Sequence, residues 1–327
     1  MQTKLRTKEV EPNENISFPI GTIYLVDKLY EVLQLSEVFG KHKTRGVDIN
    51  NLLRALVSYK LTDNFSIKRS HEWINRPDVL EEFSLSSFSE RTLYRVLEIL
   101  GAHREKIISD IQDVLFSMYD FEHTNINMDW TSIVLHGTEA LLGKYGYSRD
   151  HRPDKKQITL GVTELSDPIN IPIGMTIEPG NLNDQTHFKK TYRQSSHRLK
   201  EGSLVIFDKG ANSVANTQMI RADNLQYITG KKLNKSDDKI IAMFETYNPQ
   251  VIDAESGIRG IKIEKPNSTN YLYFSKKLQK EQLESKARKV VREIKEAKAI
   301  QESIDKNKAL PKRFRINNLL VEVDYSI

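Results

Sequence analysis

The feature that most constrains this sequence is an aspartate inside an apolar segment. Residues 125–135 read NINMDWTSIVL, and the apolar side chains on either side of Asp129 predict a buried core strand. A carboxylate in such surroundings loses hydration and persists only with a strong partner, for which a divalent cation is the commonest choice. The segment therefore predicts a metal-binding acid.

A second acid follows 79 residues later, at the end of another apolar run. Residues 204–207 read LVIF and are followed by Asp208, Lys209 and Gly210, a pattern typical of a core strand that reaches solvent at a turn. Two acids on two core strands suggest one shared metal site. The alternative is that each acid is a structural carboxylate bonded to backbone amides.

Composition excludes several classes of protein. The chain has no cysteine, which excludes disulfides, thiolate zinc sites and a cysteine nucleophile. Its apolar runs are all shorter than the roughly 18 residues of a membrane span, and no signal-peptide core follows the first residues, so we expect a cytoplasmic protein without membrane contact. With 49 basic and 44 acidic residues the net charge is +5, which suits a polyanionic partner.

Residues 1–120 are predicted to form a helical, DNA-binding domain that begins with a polar arm at residues 1–16. Apolar residues recur at helical spacing in 23–33, 49–61 and 107–118. Ser87 and Glu90 predict a capping box for a further helix, and the face opposite its apolar stripe carries Arg91 and Arg95. A recognition helix presents itself to DNA in this way, and the alternative is a solvated charged face.

From residue 121 to about 235 the pattern changes to short strands separated by turns. It predicts strands around Asp129, at 157–163, at 171–177, before Asp208 and at 225–229, with helices after residue 184 and over 214–222. The order βββαβαβ matches the RNase H-like α/β fold, a mixed sheet in which the first and fourth strands are neighbours. The two acids then face each other about 5 Å apart and suit a two-metal Mg²⁺ or Mn²⁺ site.

Four blocks of the sequence resemble the DDE transposases of insertion sequences. They are residues 127–132, 146–157, 179–181 with Asp184, and 207–210. The resemblance implies an enzyme that binds the terminal inverted repeats of its own element in double-stranded DNA, acts as a homodimer in a synaptic complex, and is nucleoid-associated when bound. It implies Mg-dependent DNA cleavage and transfer, with Asp129 and Asp208 as the first two catalytic acids.

Cations and aromatic residues around these blocks are the candidate DNA contacts. The candidates are Arg91, Arg95, Tyr147, Arg149, His151, Arg152, Lys155, Lys156, Lys209, Lys231 and Lys232. The cluster from 147 to 156 suits phosphate contact near the acids, and its alternative is a solvated loop. Lys209 contacts the cleaved region or balances Asp208, and the lysines after residue 230 follow the DNA backbone or form a basic turn. We interpret His151 as a hydrogen-bonding residue, because Mg²⁺ prefers oxygen ligands.

Two polar residues of the third block have a simpler structural explanation. Asn181 belongs to a turn, and Asp184 or its neighbour Asn183 can cap the helix that follows. A supporting role at the site is implied for Asn181 and Asp184 by the resemblance alone.

The third acid of the family cannot be recognised in this sequence. In the resembled family it is a Glu in the pattern Tyr, two residues, Arg, three residues, Glu, six residues, Lys, and no tyrosine after residue 250 begins this pattern. Residues 236–327 resemble instead the start of a β-rich insertion, with a long helix at about 278–306 and a last strand at 319–327. We therefore expect a chain truncated before that motif, and the late acids Glu293, Glu322 and Asp324 lack the family context.

Two functions remain open from the sequence. The first is an active transposase. The second is a catalytically inactive, truncated transposase that only binds DNA or inhibits the full-length enzyme. A cellular RNase H-like nuclease is a third interpretation, which the loop at 146–157 disfavours.

Overall fold

The structure, a computed structural model, describes residues 20–42, 46–62, 66–137, 139–167, 170–266 and 268–306. The chain divides into two compact units, residues 1–232 and residues 233–327. The predicted arm at 1–16 and the predicted last strand at 319–327, with Glu322 and Asp324, lie outside the described residues. Within the described ranges no helix combines the length and apolar character needed to cross a membrane. The predicted domain boundary at residue 120 stays a prediction.

The part of the first unit before the sheet is helical, as predicted. Its helices are α1 (Ile20–Val32), α2 (Leu35–Gly40), α3 (Ile49–Thr62), α4 (Ile67–Ile74), α5 (Pro77–Glu82), α6 (Glu90–Ala102) and α7 (Arg104–Met118). Their apolar faces meet in two buried clusters, one containing Leu52, Ile74 and Leu93 and the other containing Val26 and Val38. The helical spacing of apolar residues thus reflects burial of one face of each helix.

The predicted capping box at the start of α6 is wrong. The helix begins at Glu90 with Ser89 at its N-cap, and the Ser87 hydroxyl instead donates to Asn75 Oδ1 at 3.0 Å. The same Asn75 oxygen accepts the backbone N–H of Phe88, also at 3.0 Å. A partner at the C-terminal end of α4 therefore holds this segment, and a local four-residue pattern cannot reveal it.

Five strands form a mixed sheet in the order β3-β2-β1-β4-β5. They are β1 (Ile126–Val134), β2 (Gln157–Leu165), β3 (Ile171–Pro179), β4 (Leu204–Phe207) and β5 (Gln226–Thr229). The first three strands pair antiparallel, and β4 runs parallel to both β1 and β5. Helix α8 (Asp184–Ser195) connects β3 to β4, and α9 (Val214–Ala222) connects β4 to β5. The predicted RNase H-like order is confirmed.

The core of this sheet lies under α8. Strand alternation buries Ile126, Met128 and Trp130 on one face of β1, where the Trp130 ring lies 5.7 Å from the ring of Phe188. The residues between them, including Asp129, point to the other face because successive side chains of a strand alternate. The packing of α8 thereby decides which face of β1 carries the acid.

The second unit contains a three-stranded antiparallel sheet and a long helix. A short helix α10 (Asp238–Ala242) precedes β6 (Gln250–Asp253), β7 (Ile258–Lys265) and β8 (Ser268–Ser275), which pair in chain order. Helix α11 (Lys276–Asp305) follows β8 directly. The predicted β-rich region and long helix are confirmed, and the helix begins two residues earlier than expected.

Candidate functional site

Two carboxylates emerge side by side where β4 ends. The parallel ladder between β1 and β4 pairs Ile126 with Val205 and Met128 with Phe207, so the residues next in register are Asp129 and Asp208. Neighbouring strands are about 4.8 Å apart, which places the two acids next to each other on one face of the sheet. The β1–β4 register therefore produces the pair that the strand order predicted.

The expected burial of Asp129 is wrong. Asp129 and Asp208 are both exposed, because the apolar neighbours of Asp129 point to the opposite face of β1. Asp129 Oδ1 accepts the N–H of Trp130 at 2.8 Å, and Asp208 Oδ2 accepts the N–H of Gly210 at 3.2 Å. Each carboxylate thus accepts one hydrogen bond from a backbone amide, as the alternative of a structural carboxylate requires. An ionised carboxylate has about four acceptor positions, so both keep the capacity to bind a cation.

A third carboxylate, Asp184, lies beside this pair. The N-cap of α8 is Asn183, whose side chain accepts the N–H of Thr186, so the Asp184 side chain is not used for capping. Its Oδ2 lies 2.9 Å from the position of a β-carbon built on Gly210, and Asp208 Oδ2 lies 3.2 Å from the same position. The two oxygens are consequently no more than about 6 Å apart.

Arg149 pairs with this third carboxylate. Its Nη2 donates to Asp184 Oδ2 at 2.6 Å, and its backbone N–H donates to Ser132 Oγ on β1 at 3.4 Å. Burial raises the pKa of Asp184, Arg149 opposes that shift, and the Asp129 and Asp208 carboxylates raise the pKa further. Of the two neighbouring acids, Asp208 is the one that lies with Asp184 over Gly210.

The loop at 146–157, which carries Arg149, is fastened by backbone packing. A β-carbon on Gly146 would lie 2.2 Å from the carbonyl oxygen of Gly180, and one on Gly180 would lie 1.9 Å from the carbonyl oxygen of Gln157. The Gln157 amide lies in the same place and donates to Tyr147 O at 2.6 Å and to Gly180 O at 3.1 Å. Only glycine allows these close approaches, so two of the family-like blocks are held together by their glycines.

A buried polar network lies beneath β1. The Trp130 indole N–H donates to Thr191 Oγ1 at 3.1 Å, and that hydroxyl lies 2.8 Å from Thr176 Oγ1. His187 is completely buried between Thr159 and Thr176, with its ring nitrogens 3.2 and 2.8 Å from their hydroxyls. Burial lowers the pKa of His187 to about 4, so the ring is neutral at pH 7. The residue that follows Asp129 is thereby tied to β3 and α8.

The other candidate residues near the acids have diverse surroundings. Tyr147 is 85% exposed, whereas Arg152 forms a two-point ion pair with Asp154 at 2.9 Å. That bond lowers the pKa of Asp154 to about 2. His151 has a φ of 55° and occupies a turn, as its interpretation as a loop residue requires. Its role and that of Tyr147 and Arg152 in DNA binding stay predictions.

The remaining candidates fall into three places. Lys209 packs against Gly230 at the end of β5, where a β-carbon on the glycine would lie 2.9 Å from Lys209 Cβ. Asn181 lies against Gly146, with its Cα 2.9 Å from the position of a β-carbon built on that glycine. The candidates that are exposed or half-buried on the surface are Lys155, Lys156, Lys231, Lys232, Arg91 and Arg95, the last two on α6. Their roles stay predictions.

One acid near the pair was missed by the sequence reasoning. Glu164 on β2 shares the face of Asp129 and accepts a hydrogen bond from Asn127 at 3.2 Å. A cleft of about 290 Å³ is lined by Asn127, Asp129, Trp130, Thr131, Val162 and Glu164. This volume is at the lower end for small-molecule sites, so the cleft does not indicate an enclosed ligand. Strict alternation along β2 is the signal that places Glu164 on this face.

The donor set suits a hard cation and is incomplete. Mg²⁺ is commonly held by one or two carboxylates while it keeps several waters, and Asp129 with Asp208 provides that number. Within the described ranges no three His, Asp or Glu side chains converge closely enough to hold a metal ion. Glu293 lies on α11 in the second unit and is buried.

Comparisons with known proteins give a family. A family model described as "Transposase DDE domain" matches residues 120–315, more than half of the chain. Among solved structures, the cryo-EM structure of a piggyBac transposase synaptic complex with hairpin DNA is similar at 12% sequence identity and a TM-score of 0.30. The similarity covers 77% of this chain and 60% of that one. No curated protein matches the chain.

Proposed function

This chain belongs to the DDE transposase domain family, and on that basis we propose that it binds duplex DNA and cleaves the phosphodiester backbone at Asp129 and Asp208. The observation that supports the proposal most is the register of β1 and β4, which sets these two acids side by side where β4 ends. Transfer of the cleaved strand to a new site is the second half of the proposed reaction.

The two aspartates act as ligands for Mg²⁺ or Mn²⁺. Cations bound there would supply an activated water or 3′-hydroxyl and would stabilise the leaving oxygen. The backbone bonds to Trp130 N–H and Gly210 N–H orient each carboxylate before any cation arrives. Asp129 lies within β1 and Asp208 directly follows β4, so the pairing of these two strands sets the positions of both acids.

The cations around the acids contact the DNA backbone. Arg149 is linked to the site through its bond to Asp184. The exposed Tyr147 offers a flat surface for a base or sugar, and Lys209 follows Asp208 directly. Contacts to phosphate position a protein on DNA without reading its sequence, so Arg149 and Lys209 serve cleavage and not recognition of the terminal repeats. Recognition is assigned to the helical region, with a homodimer as the synaptic form.

A second candidate function is a DNA-binding protein without cleavage activity. It is favoured by the absence of a third acid that joins Asp129 and Asp208 in a metal-binding group within the described residues. In this form the chain occupies the ends of the element and inhibits an active relative.

A nicking assay separates the two functions. The substrate is a supercoiled plasmid that carries the DNA flanking this reading frame, incubated with the full chain and Mg²⁺ or Mn²⁺. We expect relaxed circles from the wild type and a loss of at least 100-fold in rate for Asp129→Asn and for Asp208→Asn, because each removes a charged ligand. The matched control is Asp150→Asn, an exposed acid of the nearby loop.

The outcomes are distinct. Nicking that persists in both aspartate variants excludes the proposed site. Absence of nicking in the wild type, together with DNA binding in a mobility-shift assay, favours the second function.

A further inference from the structure

We propose that Asp184 is a positioning residue that holds the guanidinium of Arg149 beside Asp129 and Asp208, where it contacts a non-bridging oxygen of the DNA phosphate to be cleaved. This inference rests on the proposed function and specifies how that site binds its phosphate. It assigns Asp184 no contact with a metal ion.

The Asp184 side chain is not needed to cap the helix that it begins. Helix α8 is already capped by Asn183, whose Oδ1 accepts both the N–H and the hydroxyl of Thr186 at 2.9 Å. Asp184 is free of that task, and its Oδ2 lies over Gly210 together with Asp208 Oδ2. A β-carbon at position 210 would lie 2.9 Å from the Asp184 oxygen and 3.2 Å from the Asp208 oxygen, so a larger residue would push these side chains away, and the glycine favours their proximity.

Placing like charges this close needs compensation. Like charges within about 6 Å disfavour ionisation of each other. Arg149 supplies the compensating charge at 2.6 Å. In the described structure its guanidinium has no further acceptor, and the bond to Asp184 uses one of five N–H donors. The other N–H donors are available to bind a phosphate oxygen.

Both ends of Arg149 are fixed. Its backbone is held by the Ser132 hydroxyl on β1 and by the packing of Gly146 against Gly180, and its side chain is held by Asp184. An arginine side chain loses rotamer entropy when it is ordered. Since Asp184 orders it before DNA binds, this entropy is not lost in the cleavage step.

A double-mutant cycle distinguishes positioning from metal ligation. The chains are the wild type, Arg149→Ala, Asp184→Ala and the double variant, each compared for nicking rate at saturating DNA and for Mn²⁺ affinity by electron paramagnetic resonance. If Asp184 acts through Arg149, its removal costs about 10-fold in rate in the wild type and less than 2-fold when Arg149 is already alanine. Arg149→Ala itself is expected to cost about 100-fold, and Mn²⁺ affinity changes less than 3-fold in all four chains.

Two further variants control for charge and for folding. Arg149→Lys keeps the charge but not the planar fork, and we expect it to restore less than a tenth of the lost rate. Arg193→Ala removes another Arg–Asp pair of α8, the 2.9 Å bridge to Asp223, and should leave the rate unchanged. Thermal unfolding of every variant verifies that the fold persists.

The results that overturn the inference are specific. Equal losses from Asp184→Ala in both backgrounds would show that Asp184 acts independently of Arg149. A fall in Mn²⁺ affinity of more than 10-fold would make Asp184 a metal ligand. Nicking that needs Asp129 but ignores Asp184 contradicts only the positioning role. Nicking that survives Asp129→Asn removes the proposed function, and this inference with it.

Discussion

Replacing Gly180 by alanine should loosen the loop that carries Arg149. The added β-carbon would lie 1.9 Å from the carbonyl oxygen of Gln157 and 2.5 Å from its carbonyl carbon. These are backbone atoms of a strand end, so the two segments must separate by at least about 1 Å before the contact is tolerable. The separation also stretches the 3.1 Å bond from the Gln157 amide to Gly180 O.

The magnitude follows from these two effects. Overpacking of this kind costs about 1–3 kcal/mol, and a lost hydrogen bond costs about 1 kcal/mol more. We therefore expect Gly180→Ala to destabilise the protein by about 2–4 kcal/mol, measured by urea unfolding of the full chain. The nicking rate should fall as well, because Arg149 moves with the loop.

Gly101→Ala is the matched control for this change. Gly101 lies in α6 with nothing within 4 Å of its added β-carbon. Alanine is favoured over glycine in a helix by up to about 1 kcal/mol, so this variant should be at least as stable as the wild type. The reasoning is refuted if Gly180→Ala unfolds within 0.5 kcal/mol of the wild type, a margin of the order expected for a neutral surface change.

Two further perturbations test the packing beneath the site. Gln112→Leu should lower the free energy of unfolding, measured in urea, by about 2–3 kcal/mol. The buried Gln112 amide donates to Ile173 O at 2.8 Å and to Gln194 O at 3.2 Å, and leucine leaves both carbonyls unpaired. An unchanged midpoint of urea unfolding contradicts this prediction. For His187, the pKa of the folded state is about 4 against about 6.5 unfolded, so the unfolded chain binds more protons between these values. The contribution of neutral His187 to the free energy of unfolding is complete above pH 6.5 and is lost as the pH falls toward 4. The loss is at most about 3 kcal/mol. His187→Gln should reduce this acid sensitivity in urea unfolding at pH 7 and pH 4.5, and equal pH dependence in both proteins contradicts the assignment.

The order of strands and helices after residue 121 could be predicted from the sequence. Short β-branched runs separated by Gly, Pro and Asn fix where strands end, and the RNase H-like fold that their order matches places β4 beside β1. The exposure of Asp129 could not be predicted from its neighbours in the sequence, because Met128 and Trp130 pack against α8 while Asp129 points away. The residue types around a position do not predict on which face of a strand its side chain lies.

The contact of Asp184 with Arg149 could not be predicted from the sequence, for a different reason. Arg149 is 35 residues away, and their contact exists only because the loop from β1 to β2 folds back over the turn after β3. The glycines at 146 and 180 carry the signal for that close approach, but sequence alone cannot show which two glycines meet. Ser87 was misassigned in a similar way, since its partner Asn75 belongs to an earlier turn.

The most direct test of the carboxylate pair is the affinity of the full chain for Mn²⁺, measured by electron paramagnetic resonance without DNA. The account predicts that Asp129→Asn and Asp208→Asn each weaken Mn²⁺ binding by at least 10-fold, while Asp150→Asn leaves it unchanged. Equal affinity in the wild type and both aspartate variants would contradict the claim that β1 and β4 join their acids in one metal site.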